Sequence, residues 1–237
     1  MKGLGIAAKW LFILCLPCLV ITSSINWLAN SFWLYEYGFE KYNISQTTGL
    51  AQPELEKVAR GLISYFNSDE EYIALTVVKD GEPFELFNQR EVIHLKDIKG
   101  LIQLSYHLWL GTLIYVAVYA GVSLFWQRRK YWRRLAWGVV IGSGITLGLM
   151  LAMGLGAMLN FDWLFLQFHL LSFANEFWLL DPTKDYLIML FPQGFFFDFA
   201  RFCGMIIVGV AGALGGVAGG YLWRSRRVKQ KNPDRLG

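Results

Sequence analysis

Four long apolar runs constrain the fold of this chain more than any other feature. They occupy residues 10–29, 106–126, 137–158 and 203–223. A helix of about 20 apolar residues crosses the ~30 Å hydrocarbon core of a bilayer, and each run reaches that length. Only 17% of the residues are charged, which excludes an ordinary soluble domain. The sequence therefore predicts a mainly α-helical, polytopic membrane protein with four transmembrane helices.

The first run follows Lys2 and Lys9, a charged start that cleaved secretory signals and anchored helices share. No A-x-A cleavage site is evident, and the run is long enough to span a bilayer. We therefore interpret residues 1–29 as a cytoplasmic N-terminus with an anchored helix. Cys15 and Cys18 form a C-x-x-C pair within it, which we interpret as small packing residues rather than a redox or metal pair.

Lys and Arg cluster in three places: at the N-terminus, in residues 127–136 and in residues 224–237. Cytoplasmic loops carry such an excess of basic residues, so the pattern predicts that both termini and the middle loop are cytoplasmic. Residues 30–105 and 159–202 are then expected outside. The net charge of +4 is concentrated beside the apolar runs, and it therefore indicates topology and not nucleic-acid binding.

The outer segment 30–105 has the pattern of a small extracytoplasmic α+β domain. Residues 53–67 carry an apolar stripe at helical spacing with proline at their start, which predicts an amphipathic helix. Residues 72–87 form two β-rich runs around Asp80-Gly81, a good hairpin signal.

A short helix is predicted after the hairpin, from residue 89 to Gly100. Asn88 precedes this helix as a cap, and Glu91 three residues later completes a capping-box pattern. The helix carries His94 and leads into the second apolar run. We therefore expect His94 near the outer membrane surface.

Residues 159–202 are rich in Phe, Leu and Trp, yet they contain His169, several carboxylates, Pro182 and Pro192. Ionisable groups at membrane depth are costly and usually functional, and the prolines oppose one clean spanning helix. We expect interfacial or re-entrant helices on the outer face, with a site that includes His169. In the third and fourth apolar runs, glycines at G-x-x-x-G spacing predict that those two helices pack on each other.

Two motif series lie on the outer segments. The first is R-E-x-x-H-x-x-D, at Arg90, Glu91, His94 and Asp97. The second runs through NFDWLFLQFHLLSFANEFWLLDPTKDYLIMLFPQGFFFD as F-H, N-x-x-W-x-x-D-P, L-I and F-P-x-x-F-F-x-D. With EYGFEKYNIS before them, these motifs resemble the bacterial lipoprotein intramolecular transacylase (Lit) family over nearly the whole chain.

This resemblance implies an enzyme of the bacterial cytoplasmic membrane with its active site at the outer face. Members of the family move the sn-2 acyl chain of a diacylglyceryl-modified lipoprotein onto the α-amine of its lipidated cysteine. Donor and acceptor belong to one substrate molecule, so the implied partners are the lipoprotein and membrane lipid, without a cofactor. The resemblance also carries catalytic roles onto His94 and His169.

Imidazoles suit this chemistry. An α-amine has a pKa of about 7.7–8.0, so a base that works near neutral pH can free it for attack, and no enzyme Ser or Cys nucleophile is required. We expect one histidine to act as the general base and the other to donate to the carbonyl oxygen or leaving alkoxide, without an assignment between them. The expected supporting residues are Glu91, Asp97, Asp181 or Asp185 to orient a histidine, and Arg90 or Asn175 to stabilise negative charge.

Two other functions stay open at this point: a non-catalytic membrane protein that binds lipidated partners, and an acyl ester hydrolase that uses water. A binding protein would tolerate the loss of both histidines. His107 is interpreted as interfacial, and no metal site is expected because no H-E-x-x-H or H-x-x-x-H spacing exists. The tryptophans and tyrosines are interpreted as membrane-interface belts, including Trp27, Trp33, Tyr35, Tyr37 and Trp178.

Overall fold

The computed structural model describes residues 2–126 and 130–231, so the predicted basic loop (127–136) and basic tail (224–237) lie partly outside the described residues. The helices are α1 (Lys2–Ala29), α2 (Phe32–Lys41), α3 (Ile44–Thr48), α4 (Gln52–Phe66), α5 (Gln89–Gly121), α6 (Lys130–Ser172), α7 (Tyr186–Leu190) and α8 (Gln193–Lys231). The strands β1 (Thr76–Lys79) and β2 (Glu82–Glu85) form an antiparallel hairpin. A π-helical turn, Val122–Trp126, follows α5.

Within residues 2–126 and 130–231, four helices are long and apolar enough to cross a membrane, which agrees with the prediction of a mainly helical, polytopic membrane protein. They are Gly5–Ala29, Gln89–Phe125, Tyr131–Ser172 and Gln193–Arg227. The chain divides into two compact units, one of residues 1–24, 107–155 and 204–237, the other of residues 25–106 and 156–203.

All four of these helices, as far as the structure describes them, extend further than the apolar runs. The predicted end at Gly100 is wrong, because α5 runs unbroken from Gln89 to Gly121. One glycine costs a helix about 1 kcal/mol, less than a break would cost in unpaired backbone groups. The fourth helix begins at Gln193 rather than near residue 203, directly after Pro192, and proline is well tolerated at a helix start.

Asn160 divides the third long helix. Its backbone is non-helical (φ −162°, ψ 87°), and its Oδ1 accepts a hydrogen bond of 2.9 Å from the Trp163 amide. This is the arrangement of an N-cap residue, which satisfies one of the free N–H groups at a helix start. A new helical segment therefore begins after Asn160 and ends at Ser172, with His169 in its last turn.

In the unit of residues 1–24, 107–155 and 204–237, α6 and α8 pack on each other as predicted, but mostly not through the predicted glycines. A Cβ on Gly138 would meet Phe12 at 3.0 Å, and one on Gly142 would meet Leu16 at 2.9 Å. These two glycines therefore allow α1 to pack closely against α6. On α8, Gly215 approaches Ser143. The buried contact between α6 and α8 is instead made by other apolar residues: Ala136, Ala218 and Leu222, with Val139, Val140 and Tyr221 beside them.

The unit of residues 25–106 and 156–203 contains the predicted amphipathic helix and hairpin. Helix α4 begins at Gln52, with proline near its N-terminus, and buries an apolar stripe that includes Leu55, Val58 and Leu62. The hairpin turn has positive φ at Asp80 (54°) and Gly81 (88°), as a tight two-residue turn requires. Both predictions are confirmed.

The interpretation of Tyr35 as a membrane-interface residue is wrong, because its ring is buried in this unit. It packs edge-on against Phe191, and its hydroxyl donates to the Ala29 carbonyl at 2.8 Å. A tyrosine can be buried in this way when its hydroxyl has a partner. Tyr35 therefore belongs to the core that joins α2 to the start of α8.

Gly38 sets how closely α2 approaches α8. A Cβ at this position would overlap the ring of Phe195, which is itself buried. Gly38→Ala is expected to destabilise the protein by about 1–3 kcal/mol through overpacking, measured as a fall in the thermal unfolding midpoint. Gly100→Ala is the matched control: nothing lies within 4 Å of its added Cβ, so it should be neutral or stabilising. Equal midpoints for the two variants would contradict this packing.

Candidate active site

Two histidines from distant parts of the sequence lie side by side. His94 is in the second turn of α5, and His169 is in the last turn of α6. Their ring centroids are 6.1 Å apart and their planes differ by 32°. Both are buried, with relative exposures of 4% and 9%. Buried imidazoles this close to each other form a natural candidate for shared proton chemistry.

Aromatic rings enclose the pair. The His169 ring lies 4.5 Å from the Phe165 ring and 4.9 Å from the Trp178 ring, and the Phe173 ring lies 4.9 Å from His94. Trp178, interpreted from the sequence as part of an interface belt, is therefore a wall of the histidine site. These rings limit access of water, and electrostatic interactions between the imidazoles and a bound ester gain strength in such surroundings.

The backbone fixes the tautomer of His169. Its Nδ1 lies 2.8 Å from the Phe165 carbonyl oxygen. A carbonyl oxygen only accepts, so Nδ1 carries the hydrogen and the neutral ring has its lone pair on Nε2. His94 differs, because its Nδ1 is buried with no hydrogen-bond partner among the described residues. Buried polar atoms are nearly always hydrogen-bonded, so Nδ1 of His94 is a buried group with its hydrogen-bonding capacity unused.

Glu91 locks the start of α5. Its Oε2 accepts from the Asn88 amide at 2.8 Å, and Asn88 Oδ1 accepts from the Glu91 amide at 3.1 Å. These reciprocal bonds are the predicted capping box. Glu91 Oε1 also accepts from the Leu187 amide at 2.6 Å, and the side chain is only 1% exposed. One carboxylate thus caps α5 and ties it to α7, one turn before His94.

Two further bonds hold the loop that follows His169 against α5. Asn175 Nδ2 donates to Asp97 Oδ2 at 2.8 Å, and the Arg90 guanidinium donates to the Glu176 carbonyl at 2.6 Å. Asp97 lies one helical turn after His94, so this pairing joins the two histidine-bearing segments beside their rings. One of the two N–H donors of the Asn175 side chain is thereby engaged in holding the loop.

The remaining two predicted carboxylates shape the same loop. Asp185 Oδ1 accepts from Asn88 Nδ2 at 2.9 Å, and its Oδ2 accepts from the Asp181 amide at 2.6 Å. Asp181 accepts from both the amide and the hydroxyl of Thr183, and these bonds, together with Lys184, lower its pKa below the ordinary value.

None of these acids is hydrogen-bonded to a histidine in the part of the chain that the structure describes, so their orienting role stays a prediction. Neither imidazole is hydrogen-bonded to a carboxylate there: the Phe165 carbonyl orients His169, and Nδ1 of His94 has no partner. The carboxylates instead accept from loop and cap groups: Glu91, Asp97, Asp181 and Asp185.

Asp198 forms a second cluster, which the sequence interpretation missed. This carboxylate is 1% exposed and accepts from the Tyr42 hydroxyl at 2.7 Å and from Lys41, with Arg201 at 3.4 Å. The sequence contains a signal for this cluster, because its residues lie in two of the segments that carry the family resemblance. Lys41 and Tyr42 end EYGFEKY, and Asp198 ends F-P-x-x-F-F-x-D. The cluster ties α2 to α8.

An open groove of about 790 Å³ lies between the start of α5 and the loop after α6. Residues 88–90 and Ile93 line one side, and residues 175–177 line the other. Ile93 directly precedes His94, and Phe177 directly precedes Trp178. The groove therefore follows both segments that hold the histidine rings.

The chain is similar to known proteins of one kind. The sequence profile of the family described as lipoprotein intramolecular transacylase Lit matches residues 10–196. The solved structure of the membrane integral lipoprotein intramolecular transacylase Lit from Bacillus cereus has a TM-score of 0.76 at 20% identity, covering 96% of this chain and 100% of that chain. Its variants with one histidine replaced by arginine or alanine have TM-scores of 0.74 and 0.72 at 19% identity, each with 96% of this chain covered and 96% and 97% of theirs.

No curated protein matches the chain. At 20% identity the solved structures show a shared fold, and the profile match extends over well more than half of the sequence. The shared fold, the four apolar helices of the described residues and the profile match are all consistent with one family of membrane proteins. The chain therefore belongs to the lipoprotein intramolecular transacylase (Lit) family of membrane acyltransferases.

Proposed function

We propose that this protein moves the sn-2 acyl chain of a diacylglyceryl-modified lipoprotein onto the α-amine of its lipidated cysteine, with His94 and His169 as the catalytic residues. The observation that carries this proposal is the pairing of two buried imidazoles, 6.1 Å apart, in a chain of this family. Neither ring is held by a carboxylate within the described residues, so both retain hydrogen-bonding capacity for a substrate.

The reaction is an isomerisation of one molecule. The amine nitrogen attacks the ester carbonyl carbon, a C–N bond forms, and the bond from that carbon to the glycerol oxygen breaks. The proton lost by the amine ends on the glycerol oxygen, so no water, second substrate or cofactor enters the balance. Holding the amine and the ester together supplies proximity worth several powers of ten in rate.

His169 suits the role of base. With Nδ1–H donated to the Phe165 carbonyl, the free lone pair on Nε2 takes the amine proton and later returns it to the glycerol oxygen. His94 suits the role of donor, since a neutral N–H directed at the carbonyl oxygen stabilises the negative charge that develops there. The network of Glu91, Asp97 and Asn175 positions the segments that carry the rings.

The positive-inside pattern supports an active site at the outer face of the bacterial cytoplasmic membrane. In this arrangement both termini and residues 127–136 are cytoplasmic, and residues 30–105 and 159–202 face outside. Both histidines fall in the outer segments, where a lipoprotein with its anchored lipid is accessible.

A substrate with a blocked amine tests the proposal. Purified protein in lipid vesicles is given a synthetic diacylglyceryl lipopeptide, or the same lipopeptide with its α-amine acetylated. The free-amine substrate is expected to keep its mass while fragmentation locates one acyl chain on the amine, and the acetylated substrate is expected to remain unchanged. Loss of an acyl chain from the acetylated substrate would instead establish an ester hydrolase.

A further inference from the structure

The helical segment that carries His169 is short and begins at a break in the backbone. It starts after Asn160, whose φ and ψ are not helical, and ends at Ser172. Several of its residues are apolar and exposed: Trp163, Leu166, Leu170 and Leu171. A helix this short takes most of its stability from tertiary packing. The contacts of its remaining side chains therefore decide where the His169 ring lies.

Three rings form one stripe on this segment, because residues four apart lie on the same face of a helix. The Phe161 and Phe165 ring centroids are 5.8 Å apart, and the Phe165 and His169 centroids are 4.5 Å apart. The Phe165 carbonyl also accepts the hydrogen bond from His169 Nδ1. A displacement of Phe165 therefore moves both the ring that packs on the imidazole and the carbonyl that fixes its tautomer.

The first turns of α8 hold this stripe in place. The Phe196 ring lies 5.1 Å from the Phe165 ring, with an angle of 36° between their planes. Two further contacts join the same two segments, one aromatic and one polar: the Phe161 ring with the Phe197 ring at 5.1 Å, and Gln193 Nε2 donating to Asp162 Oδ1 at 2.8 Å. Phe196 is thus the residue of α8 that packs on the neighbour of the histidine.

Phe196 is anchored on its other side by the core. Its ring lies 5.6 Å from the Phe195 ring, edge-on at 86°. Phe195 is only 5% exposed and packs against α2 at Gly38. Well-packed interiors have low compressibility and transmit displacements. An unbroken series of packed groups therefore leads from α2 through Phe195, Phe196 and Phe165 to His169.

We propose that Phe196 is a positioning residue for acyl transfer. Through Phe165 it holds the His169 imidazole in the orientation and tautomer in which Nε2 takes the amine proton. This inference rests on the proposed function, because His169 is the base there. It assigns a role in the reaction to a side chain that lies on a different helix from either histidine.

Phe196→Leu is expected to lower kcat by about 10- to 100-fold, because a small misplacement of a catalytic group costs rate on this scale. KM is expected to stay within about twofold, since Phe196 acts on the base and not on ground-state binding. Phe196→Tyr keeps the ring and is expected to retain kcat within about threefold. Both constants are measured with the synthetic lipopeptide and full-length protein in vesicles, below the unfolding midpoint of every variant.

Phe66→Leu is the matched control. Phe66 is buried in the same unit, and its ring packs at 5.7 Å on Tyr65 of α4. The same change there is expected to lower the unfolding midpoint at least as much and to leave kcat unchanged, because a cavity in that part of the core does not reach Phe165. Phe196 itself is only half-buried, and Phe196→Met, with a flexible side chain, replaces the leucine variant if that one does not fold.

A second measurement reads the orientation of His169 without turnover. The nitrogen NMR signals of isotope-labelled histidine distinguish a ring nitrogen that carries hydrogen from one that does not, and His169→Gln identifies the His169 signals by their loss. The native protein is expected to show hydrogen on Nδ1 alone. In Phe196→Leu the signals are expected to move toward an average of the two tautomers, which a merely structural role would not produce.

A fall in kcat together with altered His169 signals in Phe196→Leu, and neither in Phe66→Leu, supports the inference. Native kcat in Phe196→Leu, or an equal loss in Phe66→Leu, overturns it while the acyl-transfer function stands, because the native protein still converts the lipopeptide. If the native protein converts no lipopeptide, the proposed function fails. The NMR signals then decide the positioning alone, and unchanged His169 signals in Phe196→Leu overturn it.

Discussion

His169→Gln is expected to lower kcat/KM for the synthetic lipopeptide by about 100- to 10,000-fold, because general acid–base groups contribute factors of this size. Glutamine is polar and of similar size, but it cannot take a proton from the amine. The unfolding midpoint is expected to stay within a few degrees of the native value, so that the loss belongs to chemistry. The measurement is the initial rate of amide formation, followed by fragmentation mass spectrometry.

His94 is expected to respond differently, because it acts as a donor. His94→Phe removes the N–H and should cost about 100- to 1,000-fold, as the loss of an oxyanion donor does. His94→Gln restores an N–H and is expected to lose less, whereas Gln and Phe at His169 should be equally inactive. His107→Gln serves as the control, since His107 is exposed. If His169→Gln retained a tenth of the native rate, its role as base would be excluded.

Glu91→Ala is expected to lower the free energy of unfolding by about 2–4 kcal/mol, because two backbone N–H groups lose hydrogen bonds to a buried carboxylate. Acyl transfer should fall with it, since the same carboxylate ties α5 to α7 beside His94. Glu91→Gln keeps an acceptor oxygen and is expected to lose less. The measurement is the unfolding midpoint together with the rate.

Glu82→Ala is the matched control for this experiment. Glu82 is an exposed residue of the hairpin, and exposed substitutions of this kind usually change stability by less than about 0.5 kcal/mol. A Glu91→Ala protein that unfolds at the native midpoint would show that the cap and the contact with Leu187 do not stabilise the fold.

The elements that local sequence patterns predict well are those whose cause is local. The turn at Asp80-Gly81, the amphipathic stripe of α4 and the reciprocal cap of Asn88 and Glu91 each depend on a few neighbouring residues, and all three are present. The four spans follow from apolar length alone, and the motif resemblance selected the two histidines that the fold brings together.

Features that depend on distant partners were not predictable in this way. The pairing of Asp198 with Lys41 and the enclosure of His169 by Trp178 require knowledge of which segments meet. The contacts of the supporting carboxylates were not predictable either, because a carboxylate near a histidine in sequence can equally accept from a loop amide, as Asp97 does from the Asn175 side chain. The helix end predicted at Gly100 is wrong because the helix continues through this glycine into the second apolar run.

A double-label crossover experiment tests the central claim most directly. One lipopeptide carries a deuterated sn-2 acyl chain and a heavy-isotope peptide, and a second carries neither label; both are converted together by the native protein in vesicles. Transfer within one molecule predicts N-acylated products in which the deuterated chain is found only on the heavy peptide. Deuterated chains on the light peptide, or free deuterated fatty acid without N-acylation, would contradict the account.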